Sequence, residues 1–262
     1  MSYEARFSGL RRLYGNTSYE QLAKMHLCVV GIGGVGSWVV EALARSGIGK
    51  MTLIDYDEVA ESNINRQLPA LSSTLGEKKC NVMQQRVKDI NPDCEVDVID
   101  DFLTTKNLED YLLREYDAVI DAIDSIKFKA AMIYFCRRNK ITIITTGGAG
   151  GLSDPTQIKV ADLSKTYNDP LAAKVRSLLR NEFNFSRNTK RSFGVECVFS
   201  SQQQLYPKKD GTVSHQKPGV HGVSLDCQFG YGTSSMITAS FGFFAASRAI
   251  NKVLKNRLKN QE

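Results

Sequence analysis

The sequence has few groups that would hold a structural metal. No two of its six cysteines lie at the C-x-x-C spacing of zinc-binding pairs. A structural zinc of the four-cysteine type is therefore not expected. Cys28 lies in an apolar run, Cys136 in a helical pattern and Cys197 in a strand-like run. Buried thiols in such runs are ordinary packing residues.

The sequence also lacks an apolar run of membrane-spanning length. The apolar stretch 236–250 is shorter than the roughly 18 to 20 residues that a span requires, and it contains Arg248. We expect a helix packed on the core, followed by a basic tail, and no transmembrane span. The N-terminus does not resemble a signal peptide, which predicts a reducing cytoplasmic location and leaves peripheral association with a membrane open.

The composition is typical of a globular protein with a sizeable core. Of the 262 residues, 42% are hydrophobic and 24% are charged. The formal net charge is +6. This charge agrees equally with an acidic partner such as RNA and with a lysine-rich surface, so it does not decide between them.

From residue 27 onward, short β-rich runs alternate with helical patterns. The expected strands are 27–32, 51–55, 94–99, 118–121, 141–145 and 157–162, and the expected helices are 37–46, 75–90, 104–114 and 126–138. The alternation predicts an α/β fold that is Rossmann-like, with a mostly parallel sheet and helices on both faces.

The domain organisation is predicted from the absence of a long linker or an internal repeat. We expect one domain over 1–262, with a nucleotide-binding core at about 20–150 and a basic elaboration plus a C-terminal helix at about 151–262. The polar, basic composition of 165–217 favours loops there.

The first chemical motif is a glycine-rich turn between a predicted strand and a predicted helix. Gly31, Gly33, Gly34 and Gly36 permit a tight turn and let backbone N–H groups approach a phosphate. Asp55 ends the next predicted strand, where an acidic residue reaches a ribose hydroxyl. These features fit a dehydrogenase as well as an ATP-using enzyme.

The second motif favours the ATP-using enzyme. Asp57 and the segment containing Ser62, Asn63, Arg66 and Gln67 are followed by a lysine at position 79. Hydride transfer needs no arginine and lysine at this spacing. In adenylation, however, pyrophosphate leaves as the α-phosphorus is attacked, and its charge must be stabilised. We therefore predict Arg66 and Lys79 as catalytic phosphate-binding residues, Arg66 by bidentate contacts and Lys79 as a point charge.

The third motif places two carboxylates after a predicted strand. Asp121 and Asp124 lie where strand 118–121 runs into a loop. Carboxylates at this position suit Mg²⁺, which takes one or two protein oxygens together with phosphate and water. Asp124 is the predicted magnesium ligand and a catalytic candidate. Asp121 could contact the nucleotide site or bond to backbone instead.

Together, these motifs resemble the superfamily of ubiquitin-activating-like adenylating enzymes that includes ThiF, MoeB and HesA. The similarity covers roughly residues 6–150 and consists of GIGGVG, the DxDxVxxSNxNRQ stretch from Asp55, GxxK and DAIDS. It implies that the glycine loop binds the phosphates of ATP and Asp55 the ribose. Asn63, Arg66, Gln67 and Lys79 would bind the phosphate region. In homodimers of this superfamily an N-terminal arginine reaches the partner's nucleotide, here Arg6 or Arg12.

Further segments resemble one branch of that superfamily, the bacterial tRNA threonylcarbamoyladenosine dehydratases. They include TTGGAGG from Thr145, DPTQI from Asp154 and DPLAAK from Asp169. The resemblance implies ATP-dependent ring closure of threonylcarbamoyladenosine beside the tRNA anticodon. Basic residues of 165–191 would then meet the tRNA backbone. These are Lys165, Lys174, Arg176, Arg180, Arg187, Lys190 and Arg191.

Two alternatives stay open at this point. Cys227 could form a transient thioester or take sulfur from a cysteine desulfurase partner, or it could have a structural role. The enzyme could also adenylate the C-terminus of a ubiquitin-like or sulfur-carrier protein, since that reaction uses the same ATP residues. A non-catalytic binding subunit is less favoured, because Arg66, Lys79 and Asp124 are intact.

Overall fold

The computed structural model describes residues 2–208, 210–216 and 231–259. Its helices are α1 (Tyr3–Leu22), α2 (Gly36–Arg45), α3 (Lys79–Ile90), α4 (Leu108–Leu112), α5 (Ile126–Arg138), α6 (Pro170–Glu182) and α7 (Ser235–Lys259). Its strands are β1 (His26–Val30), β2 (Lys50–Ile54), β3 (Glu95–Ile99), β4 (Ala118–Asp121), β5 (Ile143–Thr146), β6 (Ile158–Asp162), β7 (Glu196–Ser200), β8 (Tyr206–Pro207) and β9 (Val213–Ser214).

Seven of these strands form one sheet in the order β3-β2-β1-β4-β5-β7-β6. All neighbours in it are parallel except β6 and β7, which pair antiparallel. The strand order reverses direction between β1 and β4. Open α/β sheets bind ligands at the carboxyl ends of the strands beside such a reversal.

Helices cover both faces of the sheet because its central strands are apolar on both sides. Leu27 and Val29 of β1 join one buried cluster, with residues of α2, α3 and α7. Cys28 and Val30 of the same strand join the opposite cluster, with residues of α4, α5 and α6. Burial on both faces is the reason why these strands read as continuous apolar runs.

The predicted fold class is confirmed, and most predicted elements differ from the observed ones only at their ends. The expected core-packed helix at 236–250 is the N-terminal part of α7, which packs against α2. No helix of the described residues is long and apolar enough to cross a bilayer. Nothing in the structure tests the expectation of one domain, which stays a prediction.

The expectation of loops over the basic region was wrong, because α6 and β7 lie within it. The side chain of Asp169 caps α6 by accepting from the Ala172 N–H at 2.9 Å. Pro170, whose fixed φ suits a helix start, follows at the first helical position. These local signals override the polar composition of the segment.

Candidate active site

A cavity of about 890 Å³ opens at the carboxyl edge of the parallel strands. The loops after β1, β2, β4 and β5 line it, together with the first turns of α6 and α7. Most of the nucleotide-binding residues predicted from the sequence meet here. They are Gly31, Gly33, Gly34, Asp55, Asp57, Ser62, Asn63, Arg66, Gln67, Lys79 and Asp124.

The turn between β1 and α2 requires glycine at two positions. Gly31 has a φ of +87°, in the left-handed region that favours glycine. A Cβ atom on Gly36 would lie 1.7 Å from the Gly31 carbonyl oxygen. Gly36 therefore lies behind the cavity wall, where it permits the close approach of helix and turn, whereas Gly33 and Gly34 face the cavity.

The Asp55 carboxylate is fixed by two backbone donors at the end of β2. Its Oδ2 accepts from the Ile32 N–H at 2.6 Å and its Oδ1 from the Asp57 N–H at 2.8 Å. Burial raises the pKa of this carboxyl above its ordinary value, and the two backbone N–H groups oppose that shift. Each oxygen keeps a second lone pair, so the fixed carboxylate can still accept from ribose hydroxyls.

Lys79 lies at the start of α3 with its ammonium group buried against the cavity wall. The residue is 4% exposed, and its Nζ donates to Asp57 Oδ2 at 2.8 Å. An unpaired ammonium is costly to bury, so this ion pair holds the charge in place. Because both partners line the cavity, an anionic ligand would meet a cation that is already positioned.

Arg66 is anchored through its backbone, which leaves most of its guanidinium donors available. Its carbonyl oxygen accepts from Trp38 Nε1 at 3.1 Å and from Thr238 Oγ1 at 3.0 Å. Its Nη1 donates to the Ser62 carbonyl at 2.7 Å. Helices α2 and α7 therefore fix the loop that carries Arg66. The sequence motifs gave no sign of Trp38 or Thr238 in this role.

Asn63 and Gln67 are both buried beside Arg66. Asn63 stabilises the local turn, since its Oδ1 accepts from the Ala60 N–H at 3.2 Å. Gln67 Oε1 is buried without a hydrogen-bond partner in the described part of the chain. A buried acceptor without a partner is energetically costly, which suggests that a ligand or water satisfies it.

The two carboxylates after β4 occupy different environments. Asp121 is fully buried, accepts from Lys129 Nζ at 2.8 Å and from Thr145 Oγ1 at 2.6 Å, and does not line the cavity. Asp124 is exposed and lines the cavity. Mg²⁺ uses one or two carboxylates plus phosphate oxygens, so Asp124 fits a magnesium ligand. The described residues contain no cluster of three or more metal-binding side chains.

A second glycine-rich loop, which sequence reasoning used only as a mark of resemblance, forms the opposite wall. Residues 147–150 follow β5 and line the cavity. Asp169 holds this loop by accepting from the Gly148 N–H at 3.0 Å. Lys174 of α6, which the sequence placed among the tRNA-facing cations, also lines the cavity, as does Tyr231, which no motif indicated.

The basic segment 165–191 does not form one continuous surface. Lys174 faces the cavity described above. Arg180 instead packs against Phe193, with its guanidinium carbon 5.4 Å from the centre of the ring. Since β7 begins at Glu196 and runs parallel to β5, residues 183–195 lie toward the amino edge of the sheet, opposite the cavity. The exposed cations of that stretch are Arg187, Lys190 and Arg191.

The two candidate N-terminal arginines also differ. Arg6 Nη1 donates to the carbonyls of Asp89 and Ile90, at 3.2 and 3.1 Å, within its own subunit. Arg12 is exposed. Cys227 lies outside the described residues, so both interpretations of this thiol, and a sulfur-transfer partner, stay predictions.

The chain is similar to known proteins over nearly its whole length. The model of the ThiF family matches residues 7–262. The chain is 56% identical over 256 residues to the tRNA threonylcarbamoyladenosine dehydratase of Haemophilus influenzae, a match that covers 98% of this chain and 96% of that protein. For the Escherichia coli dehydratase the identity is 52% over 254 residues, covering 97% and 95%.

The chain belongs to the ThiF family.

Solved structures support the same assignment at the level of the fold. This chain matches the structure of the Escherichia coli dehydratase in complex with ATP with a TM-score of 0.87 and 48% sequence identity. The match covers 98% of this chain and 96% of that one. Its complex with AMP gives the same values. The Escherichia coli dehydratase thus binds both ATP and AMP on this fold.

Proposed function

We propose that this protein is an ATP-dependent tRNA threonylcarbamoyladenosine dehydratase, which closes the threonylcarbamoyl group beside the anticodon into a ring. Its likeness to dehydratases over nearly its whole length supports this reaction. The observation that carries the proposal is the convergence of Asp55, Arg66, Lys79 and Asp124 on one cavity. That set of charges suits a nucleoside triphosphate whose α-phosphorus is attacked.

The first step activates the substrate. A carboxylate oxygen of the threonyl group attacks the α-phosphorus of ATP, the bond to the β-phosphate oxygen breaks, and pyrophosphate leaves. Asp55 orients the ribose. Arg66 and Lys79 stabilise the charge that moves onto pyrophosphate, because their groups are held at the cavity wall before ATP arrives.

The second step closes the ring. A ureido nitrogen attacks the activated carbonyl carbon, the carbonyl–oxygen bond to AMP breaks, and the nitrogen loses its proton. Adenylation has replaced a poor leaving group with AMP, so holding the two reacting groups together supplies much of the remaining acceleration. The net change in the nucleoside is the loss of one water.

Magnesium is part of this proposal through Asp124. Bound there, the ion would neutralise phosphate charge. Asp124 would hold it in the cavity, without help from Asp121, which is buried and paired with Lys129.

Three substrates test the proposed function. Purified protein is incubated with ATP and tRNA bearing threonylcarbamoyladenosine, with unmodified tRNA, or with ubiquitin-like and sulfur-carrier proteins, and pyrophosphate and AMP are measured. We expect both products only with the modified tRNA, together with a loss of 18 mass units from its nucleoside. Pyrophosphate formed only with a carrier protein would favour the alternative adenylation reaction.

We further propose a homodimer in the cytoplasm, where tRNA and ATP are found. Exposed apolar side chains of α7 support the dimer: Met236, Phe243 and Phe244 are 64%, 46% and 41% exposed. Thr238, in the first turn of the same helix, lines the cavity. Arg12 is the better candidate to reach the partner's nucleotide, because Arg6 is bound within its own subunit.

A further inference from the structure

A second, smaller cavity lies directly beside the large one. Its volume is about 290 Å³. Pro170 and Gln204 line both cavities and so form the wall between them. On α6, Ala173 and Arg176 face the small cavity, whereas Leu171 and Lys174 face the large one. The first turns of α6 therefore separate two adjacent sites.

Gln204 has an unsatisfied polar atom at this wall. The residue is 5% exposed, and its Nε2 donates to the Gly150 carbonyl at 2.9 Å. Its Oε1 is buried without a hydrogen-bond partner among the residues that the structure describes. Leaving an acceptor in this state is energetically costly. A ligand with an N–H donor at the wall would satisfy it.

Arg176 provides a cation in the small cavity. It is half-buried, and its Nη1 donates to Thr166 Oγ1. No carboxylate of the described residues lies within ion-pair distance of it. A guanidinium group presents a flat face for a base and several donors for an anion, so it can bind part of a nucleotide.

Aromatic rings also connect the two cavities. Tyr206 lines the small cavity and Tyr231 the large one, with ring centres 5.2 Å apart. Tyrosine rings are common stacking surfaces for unpaired RNA bases.

The far side of the large cavity carries a carboxylate. Asp101 lines the cavity beside the exposed rings of Tyr56 and Phe102, and it follows β3, the strand of the sheet farthest from β6 and β7. A polyanionic RNA backbone would be repelled at that side. The end at Lys174, next to the small cavity, is the favourable side from which an RNA can approach.

We propose that the small cavity binds the base of the substrate nucleoside, an adenine with an acyl chain on its exocyclic nitrogen, extruded from a single-stranded RNA loop. This inference rests on the proposed function. The acyl chain crosses the wall at Pro170 and Gln204, which places its carboxylate beside Lys174 in the nucleotide cavity. The extruded base fills the small cavity. Enzymes that modify a base generally have to take it out of its stack in order to reach it.

The test fills the small cavity without touching the large one. Ala173 is exposed on α6 and lines only the small cavity, so Ala173→Trp adds bulk there at little risk to the fold. We expect the KM for modified tRNA to rise at least about tenfold while the Kd for ATP stays unchanged. Ser177→Trp, one helical turn further along and outside both cavities, is the matched control and should match the wild type.

A second variant and a small probe give an independent measurement. Free threonylcarbamoyladenosine nucleoside is titrated by calorimetry in the presence of a non-hydrolysable ATP analogue. Arg176→Gln and Ala173→Trp should both weaken its binding, whereas Ser177→Trp should not.

Two results would overturn the inference while leaving the proposed function intact. One is that Ala173→Trp has the same KM for modified tRNA and the same affinity for the nucleoside as the wild-type protein. The other is a weakened affinity for ATP in that variant, which would assign the small cavity to the nucleotide. If the wild type makes no AMP with modified tRNA, the proposed function itself fails.

Discussion

At the scale of single residues, the cavity holds its cations before a ligand arrives. Lys79 is buried and paired with Asp57, and Arg66 is fixed through its carbonyl oxygen. Fixed charges need no reorganisation as negative charge develops, which is the usual source of large catalytic effects. The spacing of these residues predicted the chemistry, and the structure explains how the charges are kept in place.

Lys79→Ala tests the buried ammonium group. We expect adenylation at saturating ATP to fall by about 10² to 10³, the scale for removal of one transition-state contact. The variant should fold, because Asp57 is half-exposed and water can replace its partner. Lys78→Ala is the control, since the partly exposed Lys78 pairs with Glu58 and Asp100 and none of the three lines the cavity. Near wild-type adenylation in Lys79→Ala would remove Lys79 from the phosphate site.

Asp124→Asn tests the magnesium ligand. Its exposed carboxylate has no ion-pair partner within the described ranges, so the substitution should leave the thermal unfolding temperature unchanged. We expect the magnesium concentration for half-maximal adenylation to rise several-fold, because a neutral amide binds the ion more weakly. The measurement is a magnesium titration at fixed ATP. A titration that overlays the wild type would exclude Asp124 as a ligand.

At the scale of elements, a buried carboxylate joins α2, which follows the glycine turn, to α3, which begins with Lys79. Glu41 of α2 accepts from Arg45 at 2.7 Å and from Arg86 of α3 at 2.6 and 3.0 Å. Burial alone would raise the pKa of Glu41, but the bonds from Arg86 and Arg45 outweigh it and lower the pKa below its ordinary value. This clamp holds together the two helices that begin beside the cavity.

The clamp predicts a pH dependence of stability. Because the pKa of Glu41 is lowered on folding, its carboxylate stabilises the protein above the unfolded-state pKa, and this stability is lost as the pH falls through the folded value. Glu41→Gln should cost about 2 kcal/mol at neutral pH. The difference from the wild type should shrink below about pH 4.

Urea unfolding at a series of pH values measures this difference. Glu95→Gln is the control: Glu95 pairs with Lys50 at the surface, and its loss should cost less than about 1 kcal/mol. A pH-independent difference for Glu41→Gln would mean that packing, not charge, explains its effect.

At the scale of the whole molecule, the two edges of the sheet have different roles. Lys174 lies at the carboxyl edge with the cavity, and the cations of 183–195 lie toward the amino edge. Helix α6, with 13 residues, is roughly 20 Å long and runs from one edge toward the other. The sequence presents both groups as one basic segment, and only the course of the chain divides them.

Charge reversal at each edge tests this division. Lys174→Glu should weaken the binding of both ATP and tRNA, because Lys174 faces the cavity, and it should reduce the salt dependence of tRNA binding. Reversing Arg187, Lys190 and Arg191 together should leave the affinity for ATP unchanged and the tRNA salt slope near that of the wild type. A flattened slope in the triple variant would instead show that the tRNA body reaches the amino edge.

The proposed dimer has its own test. Phe244→Glu places a charge in the exposed apolar patch of α7 and should shift the protein from dimer to monomer in sedimentation experiments. Val213→Glu changes an exposed apolar residue in β9 and is the control. If the Phe244→Glu variant is as dimeric as the wild type, this patch is not the interface.

The sequence by itself determined the α/β fold and most of the nucleotide cavity. Alternating apolar runs indicate strands and helices, and Gly31, Asp55, Arg66 and Lys79 are close enough along the chain for their spacing to carry the chemistry. The sequence favoured Asp124 over Asp121 as the magnesium ligand but left Asp121 as a candidate for the nucleotide site. Only the fold shows that Lys129 neutralises a buried Asp121, whereas Asp124 faces the cavity.

Contacts between distant segments were decided only by the tertiary structure. Thr238 supports Arg66 across a separation of 172 residues, and no local pattern encodes such a contact. Helix α6 was missed because its polar side chains hide a short apolar face, on which Ala172, Val175 and Leu179 are buried. The small cavity exists only because α6 packs beside the residues that follow β7, where Pro170 and Gln204 meet.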